Sequence, residues 1–475
     1  MQSVPRPPIV VVMGHVDHGK TTLLDFIRKT TVASREAGGI TQSVGAYEIV
    51  HAGKTVTFID TPGHEAFACM RIQGAKSADL AILVVAADDS VKPQTKDALA
   101  CIVAEKIPFV VAVNKIDKPG ANIEKVKSDL AQANVFLEGY GGNVSWQAIS
   151  AKNGEGVPEL LDLILLAADV ENLTFDPTAP ASGMIVTARL DKRRGIVASA
   201  IVENGTLKRG NYIATESASG KIKILENFLG KTVQSLAPSS PALILGFETL
   251  PRIGEVFTAG PIQVVIKKRV VEPKPATVAA PENEQSIPLL LKADESGSLE
   301  ALEGVIAKNT KTLPFIVAAR SIGDIYETDV KTAESAGAII VGFRTGIDRA
   351  AQNLARARKV NILTSQIIYE LEKELKLYAD KMIVKEVRAI EIRGVFGKAK
   401  NKEHIIGGAV LLGPIKNQEA FEIWQDKRMV GSGKILNLQA LRKDIQQAET
   451  GTEVGLLVET DEPVKLGNKL IFPNV

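Results

Sequence analysis

Four short runs, IVVVM, TVTFID, LAILVVAA and PFVVAVNK, constrain this chain more than any other feature. Each is almost continuously apolar and rich in β-branched residues, the pattern of parallel strands buried on both faces. Amphipathic stretches separate them: GKTTLLDFIRK, PQTKDALACIVAE and EGVPELLDLILLAA. Strand and helix alternating from Ile9 to about Asn172 predict a doubly wound α/β domain over residues 1–172. At 475 residues the chain is too long for one core, so further domains are expected.

The texture changes after that domain. GMIVTARLDKRRGIVASAIVENGTLKRGNYIAT breaks short strands with Gly and Asn at hairpin spacing, which predicts a small β-barrel over residues 173–270. VEPKPATVAAPENE, residues 271–284, reads as a Pro- and Ala-rich linker. PLLLKAD, PFIVAARSI and GAIIVGF then alternate with helical stretches, a smaller α/β unit over 285–363. Residues 364–383 read as a long linking helix, with Ser365 as N-cap and Ile367, Leu371, Leu375 and Tyr378 on one stripe. Short strands and Gly-rich turns return over 384–475, a second barrel. The fold class expected is therefore an α/β and β multidomain chain.

GHVDHGKT, Gly14 to Thr21, follows the first strand and opens a helix, the setting of a phosphate-binding loop. Its glycines let backbone N–H groups turn inward around phosphate oxygens at a helix N-terminus. Lys20 would neutralise the β and γ phosphates, and Thr21 would offer a hydroxyl to Mg²⁺. A Gly-rich structural turn would use the same glycines, but strand before and helix after favour the phosphate reading. Asp60 to Gly63, DTPG, ends the second strand; Asp60 would reach Mg²⁺ through water and the Gly63 N–H would sense the γ-phosphate. NKID places Asp117 where a carboxylate can accept both N1–H and N2–H₂ of guanine, with Asn114 and Lys115 bracing base and loop. Adenine lacks that donor pair, so the nucleotide is read as GTP. Ser150, Ala151 and Lys152, after another strand, suit a backbone N–H aimed at guanine O6.

Composition narrows the partners and the compartment. A formal net charge of +2 leaves RNA contact to local patches: KRR at 192–194, KKR at 267–269 and RARK at 356–359. Each reads equally well as solvated surface charge. Aromatics at 5% argue against extensive base stacking. Cys69 and Cys101 alone exclude a disulfide framework and a four-thiolate zinc site, which fits a reducing compartment. No apolar run approaches the roughly 18 residues of a membrane span, so a soluble cytoplasmic chain is expected. His15, His18 and His64 give no ligand pair at helical spacing, so no metal site of their own is expected.

In order, GHVDHGKTT, GGITQSVGAYEI, DTPGHEAF, NKID and SAK resemble the translational GTPases. REAGGITQSVGAY, MRIQGAKSADLAILVVAADDSVKPQT, GDIYETDVKTAES and AIIVGFRT are similar to the bacterial translation initiation factor 2 family, over essentially the whole chain. The resemblance implies a ribosome-activated GTPase that binds GTP or GDP with Mg²⁺ through residues 14–22 (Gly14, His15, Val16, Asp17, His18, Gly19, Lys20, Thr21 and Thr22). It implies that His64 orients the attacking water once the large ribosomal subunit engages. Val16 and Ile40 would form an apolar gate over His64. Thr41 would bind Mg²⁺ only while the γ-phosphate is present, and Asp17 would help hold a monovalent cation. Implied partners are both ribosomal subunits through rRNA, initiator tRNA and other initiation factors, with no membrane and a monomer off the ribosome. The implied role is binding formylmethionyl initiator tRNA to the small subunit and promoting subunit joining.

The chain departs from the family in places. It begins almost at the first strand, where family members carry a long extension. The formylmethionine pocket of the family has cysteines where this chain has Gly408 and Val454, while Glu453 and Gly455 are kept. A basic run of the family is replaced by Gln439, Ala440 and Leu441. Rival readings are a tRNA-carrying elongation factor, a nucleotide-dependent transferase and a scaffold without turnover. NKID and the lack of an acceptor-site motif oppose the transferase; His64 opposes the scaffold.

Overall fold

The computed structural model describes residues 3–29, 45–63, 65–261, 287–309, 315–382, 388–398, 402–425, 428–441, 443–460, 462 and 464–472. Ile40, Thr41, His64, the 271–284 linker and the basic run at 267–269 lie outside them. The chain forms two compact units, Met1–Ala379 and Asp380–Val475.

The first unit opens on a six-stranded sheet in the order Gly45–His51, Lys54–Asp60, Ile9–Gly14, Leu80–Ala86, Phe109–Asn114 and Trp146–Ala148. Only the first pair is antiparallel. Alternation along the Ile9–Gly14 strand divides the core between its two faces. Val10 and Val12 pack with Leu23 and Leu24 of the Lys20–Arg28 helix and Leu160 and Ile164 of the Val157–Val170 helix. Ile9, Val11 and Met13 pack with Ala98 and Ile102 of the Pro93–Ala104 helix and Val126 and Leu130 of the Ile123–Gln132 helix. Because Ile9–Gly14 lies between strands that follow it in sequence, the topology reverses there. Such a reversal opens a crevice at the carboxyl ends of the strands.

A closed six-stranded barrel follows, with Ala181–Asp191 and Gly195–Asn204 as its longest strands. Val186 and Ile201 of the barrel pack into the nucleotide domain's core, Ser239 Oγ donates to the Pro7 carbonyl at 2.6 Å, and Thr57 Oγ1 donates to the Ser239 carbonyl at 2.6 Å. The smaller α/β unit is a parallel sheet in the order Phe315–Ile322, Ile287–Ala293, Ile339–Phe343 and Ile362–Ser365. Phe67 and Met70 of the nucleotide domain enter its core beside Leu302 and Phe343.

The linking helix differs from expectation. Residues 362–365 form a strand, and the helix runs Ile368–Met382. Ser365 ends that strand; its Oγ accepts from the Ile367 N–H at 3.0 Å and donates to Glu370 at 2.8 Å. The buried stripe is Ile368, Leu371, Leu375 and Ala379, with Tyr378 half-buried. The run ILT, with β-branched Ile362 and Thr364, pairs with Ile340–Gly342, which delays the helix and shifts its stripe. That stripe packs on the sheet, so the helix belongs to this domain's core up to Ala379.

In the second unit, Arg388–Lys398, Glu403–Leu412, Ala420–Gln425, Arg428–Ala440, Glu453–Thr460 and Lys469–Phe472 share one sheet. Pairing of Ala420–Gln425 with Arg428–Ala440 closes it around Ile390, Ile406, Leu438, Val454 and Leu456.

Candidate nucleotide site

The loop between Ile9–Gly14 and Lys20–Arg28 turns through left-handed backbone at Gly14 (φ 144°), Asp17 (φ 66°) and Gly19 (φ 86°). Gly19 caps the helix, and a side chain there would stand 2.4 Å from Asn114 Nδ2. Lys20 is the first helical residue and only 5% exposed. Its Nζ donates to the carbonyls of Gly14 at 3.0 Å and His15 at 2.7 Å. Burial lowers its pKa to about 8, partly opposed by the Asp60 carboxylate. A buried ammonium held in a ring of backbone is poised for an anion. Thr21 is half-buried, Thr22 exposed, and the Val16 N–H donates to Gln94 Oε1 at 3.0 Å.

Asp60 ends the neighbouring strand, in register with Val12 and nearly buried. Thr61 Oγ1 donates to the Val12 carbonyl at 2.9 Å, pinning the turn that follows. Gly63 then passes so close that a Cβ would meet Lys20 Nζ at 2.4 Å. The Thr21 hydroxyl and Asp60 carboxylate are hard oxygen donors beside that cradle, which fits Mg²⁺. Arg28 stacks 3.5 Å over the Tyr47 ring and reaches within 4.0 Å of Asp60.

Asn114 ties the base loops to the phosphate loop. Its Nδ2 donates to the His18 carbonyl at 2.8 Å, and its Oδ1 accepts the Ala151 N–H at 2.9 Å. Ser150 Oγ donates to Asp117 Oδ1 at 2.7 Å, which holds that exposed carboxyl below its ordinary range. Lys115 stands half-buried, 3.8 Å from Asp88, and Lys152 is exposed. The expected residues from Gly14 to Lys152 that are described thus gather at one sheet edge. Gln94, Asp88 and Arg28 belong to the same neighbourhood without having been singled out. Asp88 and Gln94 lie just after the Leu80–Ala86 strand, where α/β sites form, so their position was the available signal.

The terminal-barrel positions separate. Glu453 is exposed, 3.5 Å from Arg393, and Gly455 has open space where a side chain would stand. Gly408 is buried; a Cβ there would lie 2.6 Å from the Glu391 carbonyl and from Ile390 Cγ2. Val454 points into the core. Two basic clusters are partly paired: Lys192 with Asp324, Arg194 with Glu226 at 2.7 Å, and Arg358 with Glu334 at 3.2 Å.

Residues 6–169 match the model of the elongation factor Tu GTP-binding domain, and 180–260 that of elongation factor G domain 2. With the loop and sheet described above, this makes the chain a translational GTPase, an enzyme that hydrolyses GTP and binds GTP or GDP with Mg²⁺. Residues 267–376 match the translation-initiation factor 2 model. Translation initiation factor IF-2 of Thermosipho africanus is 39% identical over 98% of this chain and 70% of its own length. The Synechococcus protein of the same name is 39% identical over 95% of this chain and 43% of its own length. The chain belongs to the translation initiation factor IF-2 family. Its fold is also that of GDP-bound aIF5B from Aeropyrum pernix, at 24% identity over 99% of this chain and 92% of that one, with a TM-score of 0.50. It is a translation-initiation GTPase, and the elongation-factor alternative is not favoured. Among the described residues no helix is long and apolar enough to cross a membrane.

Proposed function

We propose that the site holds GTP, with Gly14–Thr22 around the phosphates and Asn114, Lys115, Asp117 and Ser150–Lys152 around guanine. The observation that carries this is Asn114, whose one side chain bonds both the phosphate loop and the Ser150–Lys152 loop. Base recognition and phosphate binding are thereby set in one rigid frame. Thr21, Asp60 through water, and Thr41 while the γ-phosphate is present would hold Mg²⁺, which would supply neutralising charge to the β and γ phosphates. Lys20 leaves its loop carbonyls for the phosphates, and the Gly63 N–H reads the γ position. His64 follows Gly63 directly, and Phe67 lies in the third domain's core, so a shift at Gly63 pulls on that domain. His64 orients the attacking water only when the large subunit engages, behind a gate of Val16 and Ile40. Positioning of this kind matters more to phosphoryl transfer than covalent help. Asp17 helps hold a monovalent cation.

In the cytoplasm the chain works as a monomer with both ribosomal subunits, initiator tRNA and other initiation factors. It promotes formylmethionyl initiator tRNA binding to the small subunit and then subunit joining. Glu453 and Gly455 face the tRNA end, while Gly408 shapes the backbone beneath. The test is GTP hydrolysis with and without ribosomes, for the wild type and for His64→Ala. The substitution is expected to leave GTP binding intact and to lower ribosome-stimulated turnover by orders of magnitude. Undiminished turnover would remove His64 from the mechanism.

A further inference from the structure

We propose that His15, His18 and Asp89 form a binding site for a divalent transition-metal ion, zinc being the best fit. One ligand atom from each residue lies within 4.8 Å of the others. Nothing in the spacing of the sequence joins Asp89 to the histidines; the fold does, by setting the loop after Leu80–Ala86 against the phosphate loop.

His18 is fully buried, and its Nδ1 faces the Val84 carbonyl at 3.3 Å, so that nitrogen carries the proton. Its Nε2 therefore presents a lone pair. Among the described residues that atom has no hydrogen-bond partner, and it stands 3.7 Å from Asp89 Oδ2. A lone pair facing a carboxylate is repulsive unless a cation stands between them. His15 Nδ1 is likewise buried with no partner among the described residues, on a ring set edge-on to His18 with centroids 4.9 Å apart.

Ligand atoms about 2.0–2.1 Å from zinc at tetrahedral angles lie roughly 3.3 Å from one another. The His18–Asp89 separation of 3.7 Å is a few tenths of an ångström from that, while the whole set extends to 4.8 Å, so His15 must draw in for all three to reach one ion. Lys92 holds the other Asp89 oxygen at 2.7 Å, leaving Oδ2 for the ion. Two neutral imidazoles and one carboxylate suit zinc and its neighbours, whereas Mg²⁺ takes oxygen ligands. The bound ion would fasten the phosphate loop to the adjacent loop. This inference does not depend on the nucleotide being GTP.

The nucleotide-free full chain, carrying Cys69→Ser and Cys101→Ser to remove thiols, is titrated with Co²⁺ in excess Mg²⁺. Visible d–d absorption reports the site, and Zn²⁺ is measured by displacement of cobalt. One ion per chain is expected, and Asp89→Asn should weaken binding by about tenfold or more. Asp89 is 44% exposed, so this near-isosteric change leaves the core alone; Asp89→Ala, checked for folding by its melting curve, should show the same loss. The competing surface pair is His51 with Asp162, and His51→Asn should leave binding unchanged. No cobalt spectrum, or full binding in both folded Asp89 variants, overturns the proposal. So does loss in His51→Asn alone.

Discussion

Replacing Gly63 by alanine tests the cradle where phosphates are proposed to sit. The new Cβ would lie 2.4 Å from Lys20 Nζ, 3.1 Å from Val16 N and 3.2 Å from the Gly14 carbonyl. Comfortable contact begins near about 3.5 Å, so the ammonium must retreat by roughly 1 Å. It is held by carbonyls at 3.0 and 2.7 Å, and that retreat breaks at least one charge-assisted hydrogen bond. Such a bond is worth about 1.5–3 kcal/mol. Lys20 gives up those carbonyls when it turns to the phosphates, so that loss does not itself weaken binding; the crowding that persists around a bound phosphate does, at about 1–3 kcal/mol, a roughly 5- to 150-fold weaker nucleotide affinity. Titration with fluorescent GDP and GTP analogues measures it. Gly304→Ala is the control. Its Cβ, in the Ser296–Asn309 helix, would meet only the Ala66 carbonyl, at 3.8 Å, among the described residues. That variant should bind nucleotide normally and gain about 0.5–1 kcal/mol of stability. A folded Gly63→Ala chain with unchanged affinity for both nucleotides would refute the reasoning.

Asp117→Asn should move base preference from GTP to xanthosine triphosphate, since an acceptor pair becomes one acceptor and one donor. Competition between labelled nucleotides reads it, and retained preference for GTP would sink the guanine assignment. Gly408→Cys should destabilise the terminal barrel by about 1–3 kcal/mol, because its Cβ would meet backbone and Ile390 at 2.6 Å. An unchanged denaturation midpoint would show that the strands give way freely. Glu295 is 7% exposed, and burial, reinforced by Asp294, raises its pKa from 4.5 to about 7. The folded chain then keeps a proton that the unfolded chain has lost. This group's contribution is therefore full below 4.5 and declines as pH rises to about 7. Glu295→Gln should erase that decline, so the variant's advantage over wild type grows across this window, by up to about 3 kcal/mol. Paired melting curves at several pH values test it; a constant difference would contradict it.

What the sequence by itself determined was local. The run before Gly14, the helix after Gly19 and the strand before Asn114 announce themselves because their periodicity and their ligands lie within a few residues. Val454 was also open to reading: alternation along Glu453–Thr460 sends Val454, Leu456 and Val458 inward and Glu453 and Gly455 outward. Other features required partners distant in the chain. Ile362–Ser365 becomes a strand because Ile340–Phe343 lies beside it, and this moves the helix that follows. Asn114 reaches the His18 carbonyl and the Ala151 N–H only once three strand ends share one sheet edge. Gly408 has no room for a side chain because the Arg388–Lys398 strand crosses against it. Asp89 meets His15 and His18 for the same reason: sheet register, not spacing along the chain, decides which side chains become neighbours.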